Sequence, residues 1–204
     1  LVEQVLNFMA TGHDTTASAL TWATLALSQN PHVVERLRAE AEPLYRRSSP
    51  LAFSDIEHLH YLDCFLREVV RVYCPVSGIP REAIEDVIIA GQLIPKGTIV
   101  MPVPAVIQHN PTIWGEDASQ FDPDRWDRIS GTASESTYAW AAFGHGPRAC
   151  IGKAFAMLNF KTVILALVAQ YNFEPLRDEK VEVVNPSGQL RPKGDLWMRV
   201  SKAI

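Results

Sequence analysis

The sequence predicts a mainly helical α+β fold with small β-sheets, and three observations carry that expectation. Long segments show helical three-and-four spacing or sustained apolarity, the β-rich runs are short, and turn-forming residues separate these pieces. At 204 residues and 47% hydrophobic content the chain is long enough for one domain with a sizeable core. No internal repeat breaks the pattern.

A first helix is expected from about Leu1 to Gln29. It holds no Lys or Arg, yet Glu3, Gln4, Asn7, His13 and Asp14 interrupt it, which suits a helix crossing a large soluble fold better than a membrane span. Asn30-Pro31 supplies an N-cap and a first-turn proline for a second, charged helix ending near Arg47, and Ser48, Ser49 and Pro50 make the break. Ser54 is expected to cap a short helix. In "YLDCFLREVVRVYC", Leu62, Phe65, Leu66, Val69, Val70 and Tyr73 fall on one face of an amphipathic helix that Pro75 stops. "DVIIAGQLIPKGTIVMPV" reads as hairpin structure with turns at Ala90-Gly91 and Pro95-Lys96-Gly97. Gln108 to Tyr138 is irregular and rich in Asp, Pro, Ser and Gly, the composition of a functional or disordered loop. Ile151 to Gln170 reads as a long apolar helix, and "VEVV", Pro186-Ser187-Gly188 and "DLWMRV" suggest a last hairpin.

A net charge of -4 and a pI near 5.9 lack the basic footprint of a nucleic-acid-binding surface, so no nucleic acid is expected. Cys64, Cys74 and Cys150 form no CxxC pair and no Cys/His ladder of zinc spacing; neither a disulfide framework nor a structural zinc site is expected. The opening residues show no signal peptide.

The stretch "FGHGPRACIG", Phe143 to Gly152, sets Cys150 in a glycine-rich turn before an apolar helix. Free N–H groups at a helix start favour a thiolate, so Cys150 is a candidate metal ligand or, with His145 as base, a nucleophile. Gly144, Gly146 and Gly152 would let the backbone approach a flat object, Phe143 could pack on it, and Arg148 could pair with an anionic group. The alternative is a small buried core cysteine.

Three further motifs bear on the choice: Glu68 and Arg71 at ExxR spacing, Arg125 in "FDPDRW", and "ATGHDTT" from Ala10 to Thr16 in the first helix. With the cysteine loop, and in this order, the chain resembles the C-terminal portion of a cytochrome P450 of microsomal, eukaryotic-like type. The resemblance covers essentially residues 1–204 as a partial domain. It implies that the N-terminal half, with its membrane anchor and much of the pocket, belongs to a longer protein, and that this fragment alone is inactive.

The resemblance implies haem b (iron protoporphyrin IX), with Cys150 as the axial ligand of the iron, Phe143 packed near the sulfur, and Arg148 and Arg81 on the propionates. Asp14 and Thr15 correspond to an acid-alcohol pair that holds water and passes protons toward dioxygen, beside a Gly12 that would loosen the helix. Thr11 stands where the family has Ala or Gly, and its methyl and hydroxyl would narrow the oxygen groove or join its water. Glu68, Arg71 and Arg125 would form a structural network. A lipophilic substrate would meet Phe8, Met9, Thr11, Val76, Ile79 and Ser187. The implied reaction inserts one atom of O2 using electrons from NADPH through NADPH-cytochrome P450 reductase, docked near Arg148, Lys153 and Lys161. The implied location is the cytosolic face of the endoplasmic reticulum membrane. The alternatives are a haem-thiolate isomerase or dehydratase and a non-catalytic remnant unable to hold haem.

Overall fold

The computed structural model describes residues 1–47, 50–176, 181–185 and 188–203. Its helices are α1 (Val2–Gln29), α2 (Pro31–Tyr45), α3 (Phe53–Glu57), α4 (His60–Val72), α5 (Pro104–Gln108), α6 (Pro111–Trp114) and α7 (Lys153–Gln170). The strands are β1 (Arg81–Glu82), β2 (Val87–Ile89), β3 (Gln92–Ile94), β4 (Ile99–Val100), β5 (Tyr171–Pro175), β6 (Val183–Val184), β7 (Arg191–Pro192) and β8 (Met198–Lys202). This is the mainly helical α+β architecture expected.

The core joins the second half of α1 to α2, α4 and α7. Trp22, Ala26 and Leu27 of α1, Leu37 of α2, Leu62 and Phe65 of α4 and Ile164 of α7 are buried together. Trp22 stacks on Tyr73 with centroids 4.9 Å apart. The first half of α1 is exposed, leaving Phe8 and Met9 on the surface. By length and composition α7 alone among the described residues could cross a membrane, yet its Phe160, Ile164, Leu165 and Val168 are packed in this core.

The start of α3 is capped differently from expectation. Ser54 lies inside α3; Ala52 holds the N-cap position, and its N–H donates to the Asp55 carboxylate at 2.8 Å. That bond, with one from Arg47, holds the Asp55 carboxyl below the usual carboxylate range. The start of α4 is served by α2: the Glu40 carboxylate accepts from the N–H of Tyr61 (2.7 Å) and Leu62 (2.9 Å). A carboxylate there satisfies two free donors and faces the positive end of the helix.

All four sheets are antiparallel pairs: β1 with β4, β2 with β3, β5 with β8, β6 with β7. Ala90 (φ 49°) and Gly91 (φ 81°) turn the β2–β3 hairpin, the left-handed pair that suits its twist. The strand after Pro95-Lys96-Gly97 returns to β1. The expected last hairpin also divides. "VEVV" supplies β6, which pairs with β7, whereas "DLWMRV" leads into β8, paired over five residues with the strand that continues from α7. The longer register satisfies more backbone groups than a local hairpin would.

The segment from Gln108 to Tyr138 contains α6 and the 3-10 turns Pro123–Asp127 and Ala133–Glu135. Trp114, Ala118, Trp126 and Ala139 pack there with Cys64 as a second small core.

Candidate functional site

The cysteine loop is built by two left-handed glycines. Gly144 (φ 66°) and Gly146 (φ 73°) lie where a side chain is strained. Gly144 N–H donates to Ala141 O at 3.0 Å, and Cys150 N–H donates back to Phe143 O at 2.8 Å. Gly152 differs from expectation: with φ -85° it is the N-cap of α7, and an added Cβ would meet the Cys150 sulfur at an ordinary 3.8 Å. Cys150 is exposed while Cys64 and Cys74 are buried, so the core-cysteine description fits the other two. His145 leans on the Tyr138 ring at 5.0 Å. Among the described residues it makes no hydrogen bond to Cys150, which leaves the nucleophile reading without its base.

Above this loop lies a cavity of about 580 Å³, walled by α1 on one side and by the loop and the first turn of α7 on the other. Of the residues singled out in the sequence, Phe8, Thr11, Thr15, Val76, Ile79, Phe143, Arg148 and Cys150 all line it. Asp14 and Arg81 do not, and Ser187 lies outside the described residues. Asp14 instead sits 3.0 Å from His13 Nδ1 and 3.5 Å from Arg191 Nη2. Arg81 Nη1 donates to Pro80 O at 3.0 Å.

The α1 side of the cavity is an unbroken helix. It continues through Gly12 without a break, so the expected loosening is not seen there, and a Cβ at this position would meet nothing within 4 Å. Thr15 Oγ1 donates to Thr11 O (2.6 Å), and Thr11 Oγ1 donates to Asn7 O (2.7 Å). Both hydroxyls thereby spend their hydrogen on the preceding turn and keep lone pairs as acceptors.

The third wall depends on the C-terminal segment. Leu190 O accepts from Ser18 Oγ (2.9 Å) and Trp22 Nε1 (3.1 Å), while Leu190 N–H reaches Pro75 O (2.9 Å). These bonds fix the turn carrying Val76 and Ile79 against α1.

Behind the loop, Glu68 and Arg71 are completely buried and Arg125 nearly so. Arg71 Nε and Nη2 grip the two Glu68 oxygens at 2.7 and 2.8 Å. Its remaining N–H groups donate to the carbonyls of Gln108, Ala118 and Gln120. Arg125 reaches Glu68 at 3.4 Å and donates to Trp114 O and Asp117 O. Asp122 N–H and Trp126 Nε1 complete the Glu68 carboxylate. The Arg125 guanidinium holds the Asp117 carboxyl below its ordinary value, chiefly by hydrogen bonding. The irregular segment is thus pinned to α4 by side chains donating to its carbonyls.

On the outer face of the loop, Lys153 Nζ lies 5.0 Å from the Trp140 ring, and Trp140 meets Phe143 edge-on at 5.6 Å. Lys161 corrects an expectation: it is buried, 3.1 Å from Asp63 Oδ1, and donates to Glu57 O at 3.2 Å. Its charge is neutralised inside the fold and offers nothing to a docking partner. Sequence reasoning missed Ile151 and Phe155, which also line the cavity. Both are large apolar residues left exposed, Ile151 just before α7 and Phe155 in its first turn.

An exposed cysteine set by a glycine turn thus shares a largely apolar cavity with one face of α1. The family profile described as Cytochrome P450 matches residues 1–197. Cytochrome P450 monooxygenase sphH of Aspergillus fumigatus is 36% identical over 201 residues. Cytochrome P450 4F4 of Rattus norvegicus is 38% identical and Cytochrome P450 4F2 of Homo sapiens 37%, each over 197 residues. Each alignment covers 95% of this chain and 37% of the relative. The chain belongs to the cytochrome P450 family, and it spans just over a third of the length of these relatives.

Haem is the family's cofactor, and the residues present fit it. The cavity is largely apolar, the exposed Cys150 is among the residues that line it, and so is Arg148, whose guanidinium suits carboxylates.

Proposed function

We propose that the full-length protein is a monooxygenase that inserts one atom of O2 into a lipophilic substrate, with haem b held by Cys150. The observation that supports this reading is the cavity itself, which is lined by both Cys150 and Thr15, residues 135 positions apart in the sequence. When bound, the haem supplies an iron centre whose thiolate ligand donates electron density and favours O–O cleavage.

The chain's own residues then have separable tasks. The cysteine loop fixes the sulfur through the bond from Cys150 N–H to Phe143 O. Arg148 would hold one propionate, and Arg81, which here donates to Pro80 O, would hold the second. Thr15 Oγ1, already donating to Thr11 O, accepts from a water and holds it at the distal wall. Asp14, half-exposed beside His13 and Arg191, feeds protons to that water from the solvent side. Phe8, Val76 and Ile79 exclude bulk water and favour an apolar substrate. Electrons come from NADPH through the reductase, docking at Arg148 and Lys153, on the cytosolic face of the endoplasmic reticulum membrane.

One observation favours a second reading, an isomerase or dehydratase that consumes peroxides without a reductase: the Asp14 carboxylate does not line the cavity. Replacing Thr15 by Ala in the full-length enzyme separates the two. The monooxygenase reading expects NADPH consumption to continue while product per NADPH falls several-fold. Unchanged coupling would remove Thr15 from its role.

A further inference from the structure

The sequence shows no Cys/His ladder of zinc spacing, yet the fold assembles a mixed ligand set. His60, Cys64 and Asp127 place a nitrogen, a sulfur and an oxygen within 4.8 Å of one another. None of the three lines the haem cavity. His60 and Cys64 are one turn apart on α4, on the same helical face. Asp127 arrives from the end of the Pro123–Asp127 turn, 67 positions further along the chain.

The spacing agrees with a tetrahedral metal. Cys64 Sγ and His60 Nε2 are 3.6 Å apart, and Zn–S and Zn–N bonds of about 2.3 and 2.0–2.1 Å put these donors roughly 3.6 Å apart around zinc. His60 Nε2 and Asp127 Oδ1 are 2.7 Å apart, a hydrogen bond. To become co-ligands they must separate by roughly 0.6 Å, a rotamer adjustment open to two exposed side chains. A nitrogen-sulfur-oxygen set disfavours magnesium and calcium, which take oxygen shells.

Coordination takes the Cys64 thiolate, so the charge of the ion takes the place of the thiol proton.

We propose that His60, Cys64 and Asp127 bind one zinc ion, with a water in the fourth position. Binding forms a Zn–S bond at Cys64 and releases the thiol proton to solvent, while His60 coordinates as neutral imidazole. The ion then ties the start of α4 to the turn that carries Arg125, clamping the outer edge of the joint whose interior is the Glu68–Arg71–Arg125 network.

The test uses the full-length, haem-loaded protein, stripped of loosely held metal by a chelator and dialysed against zinc chloride. Elemental analysis is expected to find one zinc per chain beside the iron, and zinc-edge X-ray absorption one sulfur neighbour. His60→Gln and Asp127→Asn, both on exposed side chains, should each weaken zinc binding by at least about tenfold. Cys64→Ser should remove the sulfur neighbour from the spectrum. No stoichiometric zinc in the wild type, or unchanged affinity in His60→Gln, would overturn the proposal, and neither result bears on the haem site.

Discussion

Replacing Arg71 is the sharpest probe of what holds the cysteine loop in place. Its five N–H groups are all engaged: two bonds to Glu68 and one each to the carbonyls of Gln108, Ala118 and Gln120. Arg71→Ala breaks a buried ion pair, which costs about 3–5 kcal/mol, and leaves three carbonyls short of a donor at about 1 kcal/mol or more each. Glu68 keeps Asp122 N–H, Trp126 Nε1 and the longer contact from Arg125, so part of the loss is offset. A net cost of about 5–7 kcal/mol follows, comparable to the whole stability of many domains, about 5–15 kcal/mol. Arg71→Lys keeps the charge but offers three donors from one nitrogen in place of a five-donor fork, for about 2–4 kcal/mol. Urea unfolding of the full-length protein, with haem content measured in parallel, checks both values. An Arg71→Lys protein that keeps its unfolding midpoint but loses turnover would refute the structural role and point to a catalytic one.

Other outcomes follow from the same geometry. Lys161→Met should lower stability by about 1–2 kcal/mol, since Glu57 O loses its donor and Asp63 one of its partners, yet leave the salt dependence of the proposed reductase docking unchanged; Lys153→Ala should weaken that docking. A change in salt dependence on losing Lys161 would contradict its burial. The Asp117 carboxyl is held below its ordinary 3.8 by Arg125, so its contribution is complete above 3.8 and is lost as pH falls through the lower folded value. Asp117→Asn should therefore flatten the loss of stability below about pH 4 in acid-unfolding curves, modestly because the side chain is partly exposed. An acid limb as steep as the wild type's would count against the bond.

Patterns that depend on a single segment were legible in the sequence. The apolar spacing of α4 and Pro75 after it set that helix, and Ala90-Gly91 set a turn whose conformation those residues favour. The cysteine loop was legible because left-handed backbone demands glycine at 144 and 146. What escaped depends on partners distant in sequence. Nothing near His60 announces that Glu40 of α2 will accept from the first N–H groups of α4, and β8 pairs with β5 across the intervening tail. Lys161 reads as a solvated charge until Asp63 and the Glu57 carbonyl are brought to it. Asp14 reads as part of a relay from its neighbour Thr15, while its contact to Arg191 exists only once the C-terminal segment folds back on α1. His60, Cys64 and Asp127 form a set for the same reason.

The proposed monooxygenase function requires Cys150 to hold the haem iron. The most direct measurement is the absorption spectrum of the full-length protein, reduced and saturated with carbon monoxide, for the wild type and Cys150→His. The wild type should show the red-shifted Soret band of a thiolate-ligated haem, and the variant the band of an imidazole-ligated haem in its place. A thiolate-type band that survives the loss of Cys150, or its absence from a haem-loaded wild type, would contradict the account.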